Sequence, residues 1–564
     1  MKEELERQVA EACKTVFDVD ISIDLTRPEE QFGDYATNAA LQLSKQLQKN
    51  PREIAETLAV KLRENLSQQI SDVSVAGPGF INIKLSDRAL LEALKSKPGR
   101  PLDGQTIVAE YSDPNPFKAL HAGHLYTSVV GDAIATLLEH AGATVQRVNF
   151  GGDVGLHVAK SMWGITRELG GEKPKALQAV GRGDLDFQAG WLAKRYVEGH
   201  EAYENNPEAK QEIIELNKKV YALHEAKDHD SPFAQIYWTC RQWSYDYFTH
   251  FYETIGVQPF RYYPESETAP RGVEKVKELL ERGILQESDG AVVFKGEDHN
   301  LHTRVFLTKE GLPTYETKDL GLIFAKYDDY HFDKSIIITG NDIIEYMKVV
   351  LKVVEQVAPE LARATTHLTH GLVRLAGGEK MSSRKGNVVG AVDIIASAAA
   401  AARKTHTIEN KETEKQVVFG AVKYAFLKNR MGGDTVYDPE ESVSLEGNSG
   451  PYLQYAHTRA RSILRKAEAA EDAAEPTDLE EGERSLVRKI TEYPETIDKA
   501  VAELMPHHVC TYLYELAQVF NRFYEHNRVI GDTRQATRLF LVKQYADTLK
   551  TGLELLGIAA PEQM

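Results

Sequence analysis

The chain of 564 residues carries 67 Lys and Arg against 84 Asp and Glu, a formal charge of -17, with 42% hydrophobic and 27% charged residues. That is apolar material for three or four cores at about 100–200 residues per domain, and 40 Gly with 21 Pro exclude collagen-like, low-complexity and wholly disordered chains. The acidity argues against indiscriminate polyanion binding while leaving room for nucleic acid met by local basic strips.

No run approaches the roughly 18 apolar residues of a spanning helix, and the charged start MKEELERQ does not lead into a signal peptide, so a cytoplasmic location is expected. Cys13, Cys240 and Cys510 form neither a zinc spacing nor a disulfide framework, which suits thiols in a reducing compartment.

In chain order, helical periodicity over Glu4–Val16 and Ala36–Leu66 precedes VSVAGPGFINIKL, where Gly77, Pro78 and Gly79 turn the chain into the alternating strand Phe80–Leu85. Residues 1–98 thus read as a small α+β unit, closed by the linker LKSKPGRPLDG. Next, TIVAEYS reads as a buried strand, DPNPFKAL as a loop punctuated by Pro114 and Pro116, HAGHLYTSVVGDAIATLLEHAG as a helix and TVQRVNF as a second strand. That order begins a doubly wound parallel sheet. A charged, largely helical insertion at about 165–260 interrupts it before strand signals resume at AVVFK, RVFLT and SIIITG, giving an expected Rossmann-like unit over 101–395. Beyond it the pattern is helical nearly throughout, as a connection over 396–450 and a bundle over 451–564. Eight acidic residues from Glu468 to Glu483, with Pro476 among them, read as a solvated loop between bundle helices.

His121, Ala122, Gly123 and His124 open a helix behind the Pro-bearing loop. Exposed backbone N–H groups and the positive end of the helix dipole suit that position to a triphosphate, and Gly123 lets a flat adenine approach closely. The two imidazoles project from one face and can donate to phosphate oxygens. Alone, such a pair is as readily structural. Its context is KMSSRKGN, where Lys380, Arg384 and Lys385 put three cations around Met381, Ser382 and Ser383 in a segment able to close over a pyrophosphate whose charge grows in the transition state.

Order and separation of these two segments resemble the ATP-binding signatures of class I aminoacyl-tRNA synthetases. Ser112, Pro114, Asn115, Lys118, His121, Gly123 and His124 in YSDPNPFKALHAGHL narrow the resemblance to the arginyl-tRNA synthetase family. It continues through FGDYATNAA and AGPGFINIKL, NFGGDVGLH, PTYETKDL, GPYLQYAHTRARSILRK, FNRFYEHNRVI and GLELLGIAAPEQM. The resemblance implies a multidomain α/β chain: a Rossmann-like catalytic domain between an N-terminal α+β domain that contacts tRNA and a C-terminal all-α anticodon-binding bundle. It implies an arginine–tRNA ligase that uses ATP with Mg2+, forms arginyl-adenylate and passes arginine to the 3′-terminal adenosine of its tRNA. A monomer with no structural metal and no membrane partner is expected.

Residue by residue, the resemblance assigns His121, His124, Lys118, Lys380, Arg384 and Lys385 to charge stabilisation, and Gly123, Asp342, Met381, Ser382 and Ser383 to ATP, Asp342 in the turn Gly340–Asn341–Asp342. Glu110, Asn115, His157, Tyr315 and Asp319 are assigned to arginine. A guanidinium presents a planar fork of five donors and needs carboxylate, amide or phenol acceptors; Tyr315 and Asp319, four apart, share a helix face. Asp319→Ala is expected to abolish arginine-dependent ATP turnover while ATP still binds. Phe80, Asn82, Tyr452, Tyr455, Arg459 and Arg461 are the tRNA candidates, Arg459, Arg461, Arg465 and Lys466 forming a strip free of acids. Tyr126, Asp113 and His157 depart from the family pattern and bear on fine contacts.

Two other classes compete. A noncatalytic RNA-binding paralogue would show damaged ATP segments, which are intact here; a small-molecule nucleotidyltransferase would lack the long helical C-terminal region.

Overall fold

Thr106–Glu110 is buried from Ile107 onward, so it offers no polar face to solvent and belongs at the centre of a covered sheet. In the computed structural model, which describes residues 1–65, 68–376, 389–405, 410–467 and 474–564, it is the middle strand of five. The order is Thr365–His370, Lys334–Gly340, Thr106–Glu110, Thr144–Gly151 and Arg261–Pro264, and every pair is parallel. Successive strands first add on one side of Thr106–Glu110 and then on the other. The chain therefore reverses direction between Glu110 and Gly340, and the crevice outside those carboxyl ends is the topological switch point where ligands bind in such sheets.

The helix Ala122–His140 is buried on nearly every side, packed between this sheet and the helical C-terminal region. The insertion supplies the helices Leu185–Asn205, Pro207–Glu225 and Pro232–Ile255, and the last of these leads directly into the strand Arg261–Pro264. AVVFK and RVFLT do not join the parallel sheet: Ala291–Phe294 pairs antiparallel with Gln286–Ser288 and Arg304–Leu307 in a separate small sheet.

At the N-terminal end, Ala36–Leu66 is not one helical stretch. Tyr35–Thr37 pairs with Phe80–Leu85 as a strand, and the helices Ala39–Leu47 and Pro51–Asn65 are separated where Gln48 turns left-handed and Pro51 starts the next helix. A second departure lies in the connection, where Thr435–Tyr437 forms a parallel ribbon with Val373–Leu375. The third concerns the acidic loop. Glu483 is fully buried in the helix Glu481–Ile490, where Arg534 and Arg538 donate to its carboxylate.

The two ends of the chain touch. Fully buried Asp34 accepts from Arg484 at 2.7 Å, and Glu495 accepts from Arg27 at 2.6 Å and from the Tyr35 hydroxyl at 2.7 Å, tying the N-terminal sheet to the C-terminal bundle.

Candidate active site

The first turn of Ala122–His140 is closed by its own histidines. Nδ1 of His121 accepts the Gly123 N–H at 3.1 Å, and Nδ1 of His124 accepts the His121 N–H at 3.2 Å; the rings stack 3.7 Å apart. The Ala122 N–H donates to the Val389 carbonyl. These amides are therefore not open donors for a phosphate, which corrects the expectation above. Burial, then neighbouring cations, lowers the pKa of His121 to about 4 and that of His124 well below the ordinary imidazole value. Each ring is neutral, and because Nδ1 already accepts, its proton sits on Nε2. Each ring therefore carries an Nε2–H donor that the helix cap does not use.

Lys118 stands beside them with its ammonium 4.7 Å from the Tyr196 ring centroid, and burial followed by Lys160 lowers its pKa to about 8. Asp342 is exposed in the turn Asn341–Ile343 after the strand Lys334–Gly340, and its charge reaches His121 and His370. Lys380, Met381, Ser382, Ser383, Arg384 and Lys385 lie outside the described residues.

Across the crevice, Asn115 Oδ1 accepts the Gly152 N–H at 2.9 Å and His157 Nε2 donates to the Gly152 carbonyl at 2.6 Å. A Cβ at Gly152 would sit 2.4 Å from Asn115 Oδ1 and 2.9 Å from the His157 ring, so only glycine permits this convergence. With burial and Lys118 keeping His157 neutral, its Nδ1 is an acceptor and the Asn115 amide a donor.

Four carboxylates gather around the switch point, and three have partners. Glu110, expected in the arginine pocket, is paired inside the protein with fully buried Lys326, which corrects its availability as a free pocket acceptor. Glu265 accepts from Lys318 at 2.5 Å, and Asp113 accepts the Phe150 N–H at 2.7 Å. Asp319 is 8% exposed and, among the described residues, has neither a hydrogen bond nor an ion pair. Burial, then Glu110 and Glu265, raises its pKa well above the carboxylate range. Tyr315 opens the same helix, largely exposed, with its ring 5.2 Å from the Lys318 ammonium.

The sequence reading missed Lys326, Lys318 and Glu265. Lys326 had a signal: it follows Asp319 by seven residues, on the same helix face, at the end of an otherwise apolar run.

Among the tRNA candidates, Phe80 is 42% exposed whereas Asn82 is 6% exposed and buried in its strand, which corrects its place as a surface contact. Tyr455 is exposed, and the Tyr452 hydroxyl accepts from Asn521 at 2.9 Å. Arg459 lies 4.6 Å over the Tyr524 ring. Arg461 is not an open cation: it donates to Glu562 at 2.8 Å, and Arg465 donates to the Glu562 carbonyl at 2.9 Å.

Comparison with known proteins adds three family matches: "Arginyl tRNA synthetase N terminal domain" over residues 1–85, "tRNA synthetases class I (R), catalytic domain" over 88–438 and "DALR anticodon binding domain" over 453–564. An arginine–tRNA ligase of Clostridium perfringens is 32% identical over 560 residues, 95% of each chain, and one of Porphyromonas gingivalis is 30% identical over 602 residues, 100% of this chain and 99% of its own. The solved arginyl-tRNA synthetase of Thermus thermophilus superposes with a TM-score of 0.81 at 25% identity, with 100% of both chains covered.

Proposed function

The chain belongs to the arginyl-tRNA synthetase family of class I enzymes, and from that premise we propose that the switch-point crevice is where it activates arginine with ATP before charging tRNA. The observation that carries the reading is Asp319, a buried carboxylate left unpaired while its neighbours Glu110 and Glu265 have lysine partners. A buried charge without a partner is costly, and a guanidinium is the complementary ligand. The Tyr315 hydroxyl, the Asn115 amide and His157 Nδ1 complete a polar socket for the remaining groups of the amino acid.

ATP enters on the other side of the crevice. The Nε2–H groups of His121 and His124 and the ammonium of Lys118 serve the phosphates and Gly123 and Asp342 the nucleoside; outside the described residues, the family resemblance gives Met381, Ser382 and Ser383 to ATP and Lys380, Arg384 and Lys385 to charge on the leaving pyrophosphate. The arginine carboxylate attacks the α-phosphate in line and pyrophosphate departs; a ribose hydroxyl of the terminal adenosine of tRNA then attacks the carbonyl of the adenylate, forming the ester and releasing AMP. Little covalent chemistry falls to side chains; acceleration comes from positioning and fixed donors. Mg2+ enters the proposal as a counter-ion that ATP brings, neutralising phosphate charge.

For tRNA, the proposal uses Phe80 at the elbow and Tyr452, Tyr455 and Arg459 on the bundle, with residues 1–98 and 451–564 as the two contacting ends, 101–395 catalytic and 396–450 connecting. A cytoplasmic monomer completes it. Among the described residues no helix is long and apolar enough to cross a membrane.

The test is arginine-dependent exchange of pyrophosphate into ATP, with and without cognate tRNA. Exchange that requires arginine and tRNA is expected; its absence, or exchange indifferent to arginine, overturns the proposal.

A further inference from the structure

The loop joining Thr106–Glu110 to the helix Ala122–His140 holds three non-glycine residues in the left-handed region: Ser112 at φ 76°, Asp113 at φ 47° and Phe117 at φ 68°. Such residues persist only where their surroundings over-determine them, and they cluster where strain serves a function. The outermost two are held from one element, the helix Pro232–Ile255 that closes the insertion. Its Tyr252 hydroxyl is 2.8 Å from Ser112 Oγ, and its Ser244 Oγ accepts the Phe117 N–H at 3.0 Å.

The network extends in both directions from those two points. Ser112 Oγ is also 2.8 Å from Ser128 Oγ, which donates to the His124 carbonyl at 2.6 Å, and Asn149 Nδ2 reaches the Tyr252 hydroxyl at 3.4 Å. About four and three turns before Tyr252 on the same helix, the Tyr237 hydroxyl donates to the Asp153 carbonyl at 2.7 Å and Arg241 to the Asp153 carboxylate at 2.9 Å. Asp153 follows Gly152, on which Asn115 and His157 converge. Ser244 and Tyr252, eight residues apart, present toward the loop from one side of the helix, and all these hydroxyls are buried.

We propose that the helix Pro232–Ile255 is a splint: Tyr252 and Ser244 clamp the strained loop so that Asn115 and Lys118 project into the crevice and His124 keeps its place, making both hydroxyls positioning groups for adenylate formation. This gives the insertion a task at the reacting centre rather than on the surface. It rests on the site assignment above for its kinetic consequence only.

The variants are Tyr252→Phe and Ser244→Ala, each removing one hydroxyl and little volume, and Ser112→Ala with Tyr252→Phe as a pair. In the tRNA-supported exchange assay kcat is expected to fall about tenfold or more in each single variant, with the KM for tRNA within about twofold and the folded fraction unchanged by circular dichroism. With Ser112→Ala measured alone as well, the double variant is expected to lose less than the product of the two single losses, because both changes share the Tyr252–Ser112 link although Ser112 also bonds Ser128. Amide hydrogen exchange across residues 112–118 is read in parallel and should accelerate about tenfold in Tyr252→Phe. That readout does not depend on the enzyme's substrate, so a wrong functional assignment and a wrong splint give different results. Wild-type kcat in folded Tyr252→Phe, a loss no larger than its unfolded fraction, or unchanged exchange across the loop overturns the inference.

Discussion

Replacing Asp319 by Asn separates binding chemistry from folding, because its two effects have opposite signs. In the empty protein the carboxylate is buried without a partner, and Glu110 and Glu265 repel its charge. Asn keeps the shape and replaces an acid that burial favours in its protonated form, so the melting midpoint should hold, and rise where pH would ionise the carboxylate. With arginine bound, the same change deletes one partner of a buried, hydrogen-bonded charge pair, which costs about 2–5 kcal/mol. At about 1.36 kcal/mol per decade, kcat/KM for arginine should drop by about 30-fold to several thousand-fold. The assay is tRNA-supported pyrophosphate exchange at varied arginine, with ATP binding followed by calorimetry as a control that should not move. Arginine kcat/KM within twofold of wild type, or a loss accompanied by a midpoint several degrees lower, would show that Asp319 is an ordinary structural carboxylate.

Three further outcomes follow from the same geometry. Since burial raises the Asp319 pKa and a guanidinium restores its charge, arginine binding expels a proton: kcat/KM for arginine should increase with pH above the ordinary carboxylate range, and Asp319→Asn should flatten that limb. The stability sign is the reverse, because a carboxylate whose folded pKa is raised stabilises the fold while protonated and loses that contribution as pH climbs through the raised value. Lys118, lowered to about 8, should lose its charge as pH passes that value, so ATP affinity should weaken on the alkaline side; Lys118→Arg, which stays charged, should remove the decline in calorimetric titrations. Lys326→Met strands Glu110 inside the sheet and should cost about 3–5 kcal/mol in urea unfolding, most of it recovered by adding Glu110→Gln.

What could be read ahead of the structure was whatever adjacent residues decide. Strand, loop, helix and strand from Thr106 to Gly151 follow from local burial patterns and from Pro114 and Pro116, and their order implies the parallel sheet and its switch point. Local patterns fail where a segment's partner is remote. RVFLT has the composition of a buried strand, but its antiparallel neighbour Ala291–Phe294 draws it out of the main sheet. Glu483 looks like one acid in a solvated run until Arg534 and Arg538, more than fifty residues on, close over it.

The site shows the same division more sharply, and the reason is electrostatic. Residue type marked Glu110 and Asp319 as equals, two acids suited to a guanidinium. Their roles diverge because Lys326 reaches across 216 residues to bond one directly, while the other feels that ammonium only at a distance and has no hydrogen bond or ion pair among the described residues. A socket for a forked cation is thus defined less by how many carboxylates it contains than by which of them the fold leaves unpaired. The same holds for the histidines: the spacing announces an anion site, but each Nδ1 is consumed in capping the helix, and this frees Nε2–H as the donor. In His121, His124, Asn115 and His157 the fold uses one polar atom to hold the side chain and leaves another over, whereas the Asp319 carboxylate is left with both.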